Sequence, residues 1–325
     1  MIRSSRQLKD LIKNLSKASG IEAHVLIRKY MMERFLERVS QSKYNSCFIL
    51  KGGMLVSAFV GVESRATMDI DTTIKGISVT QSDMERVIKE ISNIDLDDNV
   101  KFQIKKVSEI MDEAEYSGIR FSMDALIDGA VIPLKIDIST GDVITPREIS
   151  YSYKLMFEDR TISIMTYPIE TVLAEKLETI ISRSVTNTRM RDFYDIHILL
   201  KSQPIDFSVI GTALKKTMTK RGSLQLAENA EEVLNAVEND KNIKSLWNVY
   251  QSKFKYAQEH SWNEVMWSIR KLSSEAKLDV EKPSVLENIR QLQERDASIA
   301  LKNSERICKG LDCTPNDVFS FDDIE

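Results

Sequence analysis

At Tyr167-Pro168 the chain changes its hydrophobic period, and that change limits the architectures open to it. Upstream, short runs alternate. In AVIPLKIDIST, residues 130 to 140, Leu134, Ile136 and Ile138 oppose Lys135, Asp137 and Ser139, the period of two that turns one face of a strand to the core. VKFQIKKVSEIM at 100 to 111 alternates in its first half, and IRFSMDALIDG at 119 to 129 contains another strand. Downstream, Pro168 is placed to open a helix through IETVLAEKLETIISR, and MRDFYDIHILLK follows as a second. FSVIGTALKKTMTK, AENAEEVLNAVEN, LWNVYQSKFKYAQ and WNEVMWSIRKLSSEA keep the helical spacing. Strands first and helices after predict an α+β chain. We place a mixed β-sheet with flanking helices in residues 1–150, a C-terminal helical lobe in 151–278, and a short tail, 279–325, after the charged connector LDVEKPS.

The first 42 residues read as two amphipathic helices, with Leu8, Leu11, Ile12 and Leu15 on one and Ile27, Tyr30, Met31 and Phe35 on the other. CFIL at 47 to 50 is a short strand, KGG breaks it, and MLVSAFV begins a helix at the second glycine. SDMERVIKEIS adds a helix with Ser82 as its N-cap. A 42% hydrophobic and 29% charged composition is that of an ordinary globular protein. A net charge of −4 excludes a globally basic nucleic-acid binder, so a polyanion would have to meet a local patch. The amino terminus lacks the apolar core of a signal peptide and no run of about 18 apolar residues occurs, which points to the cytoplasm and away from membranes. Cys47, Cys308 and Cys313 have no metal-type pairing with His and read as packing thiols.

RATMDIDTT, Arg65 to Thr73, is the segment with chemical content. Read as a strand, it puts Arg65, Thr67, Asp69, Asp71 and Thr73 on one face, although aspartate is depleted in strands and like charges on one face repel. A divalent cation would compensate two adjacent carboxylates; exposure on an edge strand, or pairing with Arg65 and Lys51, would serve as well. Asp137 in LKIDIST has the same in/out parity and could join the patch. FILKGGMLV supplies a strand, a glycine turn at Gly52-Gly53 and a helix start, whose free N–H groups favour phosphate oxygens.

Taken in order, KGG at 51 to 53 with RATMDID at 65 to 71, KID at 135 to 137, EKL at 175 to 177 and RDFYD at 191 to 195 resemble the four motifs of the AbiEii/AbiGii toxin family. That family lies in the nucleotidyltransferase superfamily related to DNA polymerase β. The resemblance covers roughly residues 5 to 270. It departs from the broader superfamily at Gly53, where a serine is usual.

The resemblance implies a nucleotidyltransferase that moves a nucleotide from an NTP to an acceptor hydroxyl with release of pyrophosphate. Asp69 and Asp71 would hold Mg²⁺ on the triphosphate, and Asp137 would complete a second metal site. Lys176 would clamp phosphates and Asp192 would act as base or position the acceptor. Gly52, Gly53, Arg65, Thr67, Lys135, Arg191 and Asp195 would bind nucleotide, although Lys135 could instead pair with nearby aspartates and Arg191 with Asp195 along the helix. The resemblance further implies the toxin of a bacterial toxin–antitoxin system linked to abortive phage infection. The acceptor would be RNA, the tRNA 3′ end foremost, and a separately encoded antitoxin would act without a stable complex. A non-catalytic nucleotide- or nucleic-acid-binding regulator is the alternative.

Four other features carry expectations. His197 among apolar neighbours reads as a packed histidine. Lys215, Lys216, Lys220 and Arg221 read as a solvated face or, in the alternative, an RNA-binding surface. Trp247, Tyr250, Phe254, Tyr256, Trp262 and Trp267 read as helical core. SERICKGLDCTPNDVFSF in the tail resembles in part the closing helices of Cro/CI-type helix-turn-helix domains; docking on the chain's own helices is the other reading.

Overall fold

Two successive positive φ angles, 47° at Asp128 and 78° at Gly129, make the tight turn that matches the twist of an antiparallel pair. It joins β4 (Ser117–Ile127) to β5 (Ala130–Thr140), with Ile127 opposite Ala130 and Arg120 opposite Asp137. The structure, a computed structural model, describes residues 2–111 and 117–276. β3 (Val100–Met111) pairs with the outer edge of β4, while β2 (Ile70–Ile74) runs parallel to the other edge of β5. β1 (Phe48–Lys51) is antiparallel to β2, β7 (Thr161–Thr166) is parallel to β1, and β6 (Ile149–Lys154) closes the far edge. The result is a mixed sheet of order β3-β4-β5-β2-β1-β7-β6.

The sheet therefore runs on to Thr166. Within the segment from 151 to 166, assigned from its sequence to the helical lobe, residues 151–154 and 161–166 are strand with a turn between them, and helices take over only at Ile169. ISYSYK and TISIMT are six residues each and alternate with a period of two, so the sequence itself marks the change of period at Tyr167-Pro168 and not at 150.

α1 (Ser5–Ser19) and α2 (Ala23–Gln41) form the expected pair, and α2 packs on β5 and β7. α2 is not amphipathic in place. Glu33, Arg34, Glu37 and Arg38 are as buried as Met31 and Phe35. They are tolerated because partners lie within reach: Arg38 bonds Asp98 at 2.8 and 2.9 Å, and Arg34 and Arg160 pair with Glu37 and Glu158. α3 (Gly52–Val60) starts one residue earlier than expected, and α4 (Gln81–Ser92) is capped by Thr80, whose hydroxyl accepts from the Asp83 N–H, rather than by Ser82.

The helical part comprises α5 (Ile169–Arg183), α6 (Met190–Ser202), α7 (Phe207–Lys220), α8 (Ala230–Asn239), α9 (Lys241–Lys253) and α10 (Trp262–Glu275). α6 contacts α3, and α5 packs on both α6 and α7, so the helices sit against the sheet's first glycine turn. Trp247, Tyr250 and Trp262 cluster with Phe193 and Tyr194 as core. Trp267 does not: 64% of it is exposed. Among the described residues no helix is long and apolar enough to cross a membrane. Cys47 is a free, half-buried thiol. Cys308, Cys313, the connector and the tail lie outside the described residues.

Candidate active site

Four charged residues cross the sheet as one row. Arg120 on β4 is the register partner of Asp137 on β5, Asp137 of Asp71 on β2, and Asp71 of Lys51 on β1. Neighbouring strands lie roughly 4.7–4.9 Å apart, so two carboxylates stand side by side with a cation at each end. All four line one cavity of about 670 Å³, within the usual range for a small-molecule site. The alternation that buries Ile70, Ile136 and Ile138 completely on one face puts Asp71 and Asp137 on the other.

Asp71 is held in an unfavourable charged form. Burial raises its pKa above the usual carboxylate range, and the negative charges of Asp137 and Asp69 add to this against Lys51 and a long 3.4 Å hydrogen bond donated by the Gly53 N–H. The Gly-Gly pair makes room for that carboxylate. Gly52 adopts φ +65°, and a Cβ there would stand 2.7 Å from Asp71 Cγ; a Cβ on Gly53 would stand 2.7 Å from Thr67 Oγ1. The first glycine is required twice over, by its backbone and by its neighbour.

Lys51 reaches Asp142 at 2.5 Å, and Asp142 also accepts from Ser139 Oγ at 2.9 Å and Tyr167 Oη at 2.7 Å. Burial works against the charge on Lys51, but Glu175, Asp142 and Asp71 outweigh it and raise its pKa. The wall facing the row is α5, with Glu175 and Lys176, flanked by Asp192 on the first turn of α6 and Arg221 just past α7. Arg221 pairs with Glu175 at 3.3 Å and Glu178 at 2.5 Å, so it belongs to the cavity wall rather than to a solvated face.

From the wall inward runs a second alternating network. Lys176 Nζ lies 2.7 Å from Asp192 and 2.8 Å from Asp195, and Asp195 in turn accepts from Arg65 Nε at 2.6 Å. Burial opposes charge on both Lys176 and Asp195. The carboxylates beside Lys176 nevertheless push its pKa up, and Arg65 and Lys176 push that of Asp195 down, so both remain ionised.

The site residues named from sequence therefore separate. Asp71, Asp137, Gly52, Lys176 and Asp192 line the cavity. Asp69 is close enough to disfavour charge on Asp71, and Gly53 backs the row. Arg65, Thr67 and Asp195 are buried, at 3%, 5% and 0% exposure, and brace the site from behind. Residues 65–69 are not strand: β1 ends at Lys51, paired with Asp71, and the chain then leaves the sheet into α3, so nothing on that side pairs with them. Arg191 turns to Phe254, 5.8 Å from its ring, and Lys135 is exposed; neither is among the residues lining the cavity.

Asp137 differs from expectation in its partner. Arg120 grips both its oxygens, Nε to Oδ1 at 2.8 Å and Nη2 to Oδ2 at 2.6 Å. Among the described residues no group of three or more His, Cys, Asp or Glu is arranged to hold an ion. Asp71 and Asp69 are the carboxylates that would hold a divalent cation: burial first, then Asp137 and Asp69, raise the pKa of Asp71 against Lys51. Arg120 and Asp142 are cavity residues that reading the motifs missed, and Tyr167, outside the lining, holds Asp142 through its hydroxyl. Arg120 was within reach: counting outward from the Asp128-Gly129 turn pairs 127 with 130 and 120 with 137.

Residues 34–273 match the family model described as "Nucleotidyl transferase AbiEii toxin, Type IV TA system". No curated protein matches the chain. Solved structures similar to it include JHP933 from Helicobacter pylori, at 14% identity and a TM-score of 0.46, covering 87% of this chain and 99% of that one. Another H. pylori protein, described as a nucleotidyltransferase, has 17% identity and a TM-score of 0.44 with 79% and 96% covered. An antigenic nucleotidyltransferase-like protein from Paracoccidioides brasiliensis has 15% identity and a TM-score of 0.34 with 73% and 95% covered.

Proposed function

The chain belongs to the AbiEii family of nucleotidyltransferase toxins, and from that premise we propose that it is the magnesium-dependent toxin of a toxin–antitoxin pair, transferring a nucleotide from an NTP to an RNA acceptor. The observation that carries the reading is the paired carboxylates of Asp71 and Asp137 on the floor of a cavity, at the N-terminus of α3 and opposite Lys176. In nucleotidyl transfer an acceptor hydroxyl attacks the α-phosphorus and the bond to pyrophosphate breaks, so negative charge must be met at the leaving oxygens.

Asp69 and Asp71 would hold a magnesium ion, which would supply positive charge for the triphosphate oxygens and for the charge that develops on the leaving group. The chain does the rest. The first turn of α3 turns its dipole's positive end to the phosphates. Lys176, kept charged by Asp192 and Asp195, supplies a fixed cation on the opposite wall. Asp192, the wall carboxylate next to Lys176, accepts the proton that the acceptor hydroxyl gives up. Arg183, Arg189 and Lys220 line the same cavity, and Lys215 and Lys216 lie exposed farther along α7, a basic approach suited to a polyanionic acceptor. Within that class we favour the tRNA 3′ end, with action in the cytoplasm, a role in abortive phage infection, and an antitoxin encoded separately that forms no stable complex.

Incubation with α-labelled NTPs and total RNA tests this. Label moves into RNA with the wild-type protein and not with Asp71→Asn. Release of phosphate or pyrophosphate without RNA labelling would replace transfer by hydrolysis, and nucleotide binding without turnover would make the protein a regulator.

A further inference from the structure

The charge row is neutral as it stands, and its two ends are not alike. Lys51 is drawn to within 2.5 Å of Asp142, whereas Arg120 gives Asp137 a guanidinium across both oxygens. The fork geometry is the strongest pairing a carboxylate makes with a side chain, and arginine does not deprotonate in a protein. Arg120 is also placed by the backbone: the hairpin turn sets it directly opposite Asp137. A divalent ion on Asp137 would sit against this fixed positive charge and compete with it for the same oxygens.

We infer that Arg120 is the resident cation of Asp137 and stands where a second metal ion would, so that the chain works with one divalent ion, held by Asp69 and Asp71. Asp137 then acts as a positioning residue: it aims the guanidinium, which lines the cavity, at the substrate side of the row. The inference rests on the nucleotidyl-transfer reading but predicts a count that the reading does not. It also gives Arg120→Lys and Arg120→Gln different outcomes, because only lysine keeps the charge. With 40% of the Arg120 side chain exposed, both variants are expected to fold, which a thermal melt checks.

Native mass spectrometry counts the ions. The protein is sprayed with Mn²⁺ and each of the four α,β-methylene nucleoside triphosphates, and manganese adducts on the nucleotide-bound chain are counted above the Asp71→Asn background. One ion is expected for wild type, for Asp137→Asn and for Arg120→Lys. Two are expected for Arg120→Gln, falling back to one in Arg120→Gln/Asp137→Asn. Two ions on the wild type, or one on Arg120→Gln, overturn the assignment of Arg120 while leaving the transfer reading intact. No ion on nucleotide-bound wild type would remove the metal reading itself, and this inference with it.

Discussion

Replacing Gly52 by alanine is the sharpest test of how the site is built, because the structure supplies two separable costs. The first is conformational: Gly52 has φ +65°, a region that costs an L-residue roughly 1–2 kcal/mol. The second is local: the new Cβ would stand 2.7 Å from Asp71 Cγ and 2.8 Å from its Cβ, both closer than carbon atoms approach, so the aspartate must move. Asp71 has little freedom to do so between Asp137 and Lys51, and overpacking of this kind typically adds about 1–3 kcal/mol. Gly76 provides the control, since at φ +81° it carries the first cost while a Cβ there meets nothing within 4 Å.

Urea titration should therefore show Gly76→Ala destabilised by about 1–2 kcal/mol and Gly52→Ala by about 2–5 kcal/mol, at equal m-values. Gly76→Ala should transfer nucleotide normally. Gly52→Ala should lose transfer by about a hundredfold or more, the scale expected of an ångström-sized misplacement. If the two variants lost the same stability and Gly52→Ala kept wild-type transfer, the close approach of Asp71 to the glycine turn would have no functional meaning.

Four further outcomes follow from the same geometry. Asp71→Asn should abolish transfer yet raise the melting temperature, because a carboxyl whose folded pKa is raised destabilises the fold when ionised; each kcal/mol gained shifts a protein of this class by about 2–4 °C. Asp195→Ala should cost about 3–5 kcal/mol in a denaturation curve, since it leaves Arg65 and Lys176 without their buried partner. Changing Lys215, Lys216 and Lys220 together to glutamate should weaken RNA affinity and flatten its salt dependence in a binding titration; unchanged affinity would return them to plain surface. His197, pulled down to about 4 by burial, with His260 and Lys201 adding and Glu264 opposing, is neutral in the fold and takes a proton near 6.5 when unfolded. Its contribution is therefore complete above about pH 6.5 and lost toward pH 4, by up to roughly 3 kcal/mol, and His197→Gln should flatten that part of the stability profile.

The histidine also shows what a sequence can carry. That His197 is packed was legible from its apolar neighbours, but its network was not. Ser268 Oγ donates to the Glu264 carbonyl, so His197 Nδ1–H donates to Ser268 and Nε2 accepts from His260, 63 positions away in the chain. Local period fixes an element, which is why α5, α6 and α7 begin and end where their apolar spacing says. The strand near Asp69 was overextended because its length depends on a partner strand, and β1 stops after four residues. Arg65, Thr67 and Asp195 carry the right motif letters but sit behind the cavity, a distinction set by burial that no spacing encodes. Arg120 lay in plain view, since a two-residue turn fixes hairpin register; the Asp71–Asp137 pairing joins parallel strands through a long crossover and could not be counted in this way.

Two buried aspartates of the same site show which part is scaffold and which is poised for chemistry. Asp195 is wholly buried and its pKa is driven down, because Arg65 and Lys176 more than offset the loss of water. Asp71 is driven up, by burial first and then by the carboxylate of Asp137, which stands where a second cation would have stabilised it. A fold selected only for stability would treat both alike, and a lysine or arginine at position 137 would do so without altering the register. Asp195 is spent on holding α5, α6 and the 65–69 segment together. Asp71 is left short of positive charge, facing a cavity, at the end of a helix dipole, an arrangement relieved by taking up a proton or by a cationic ligand.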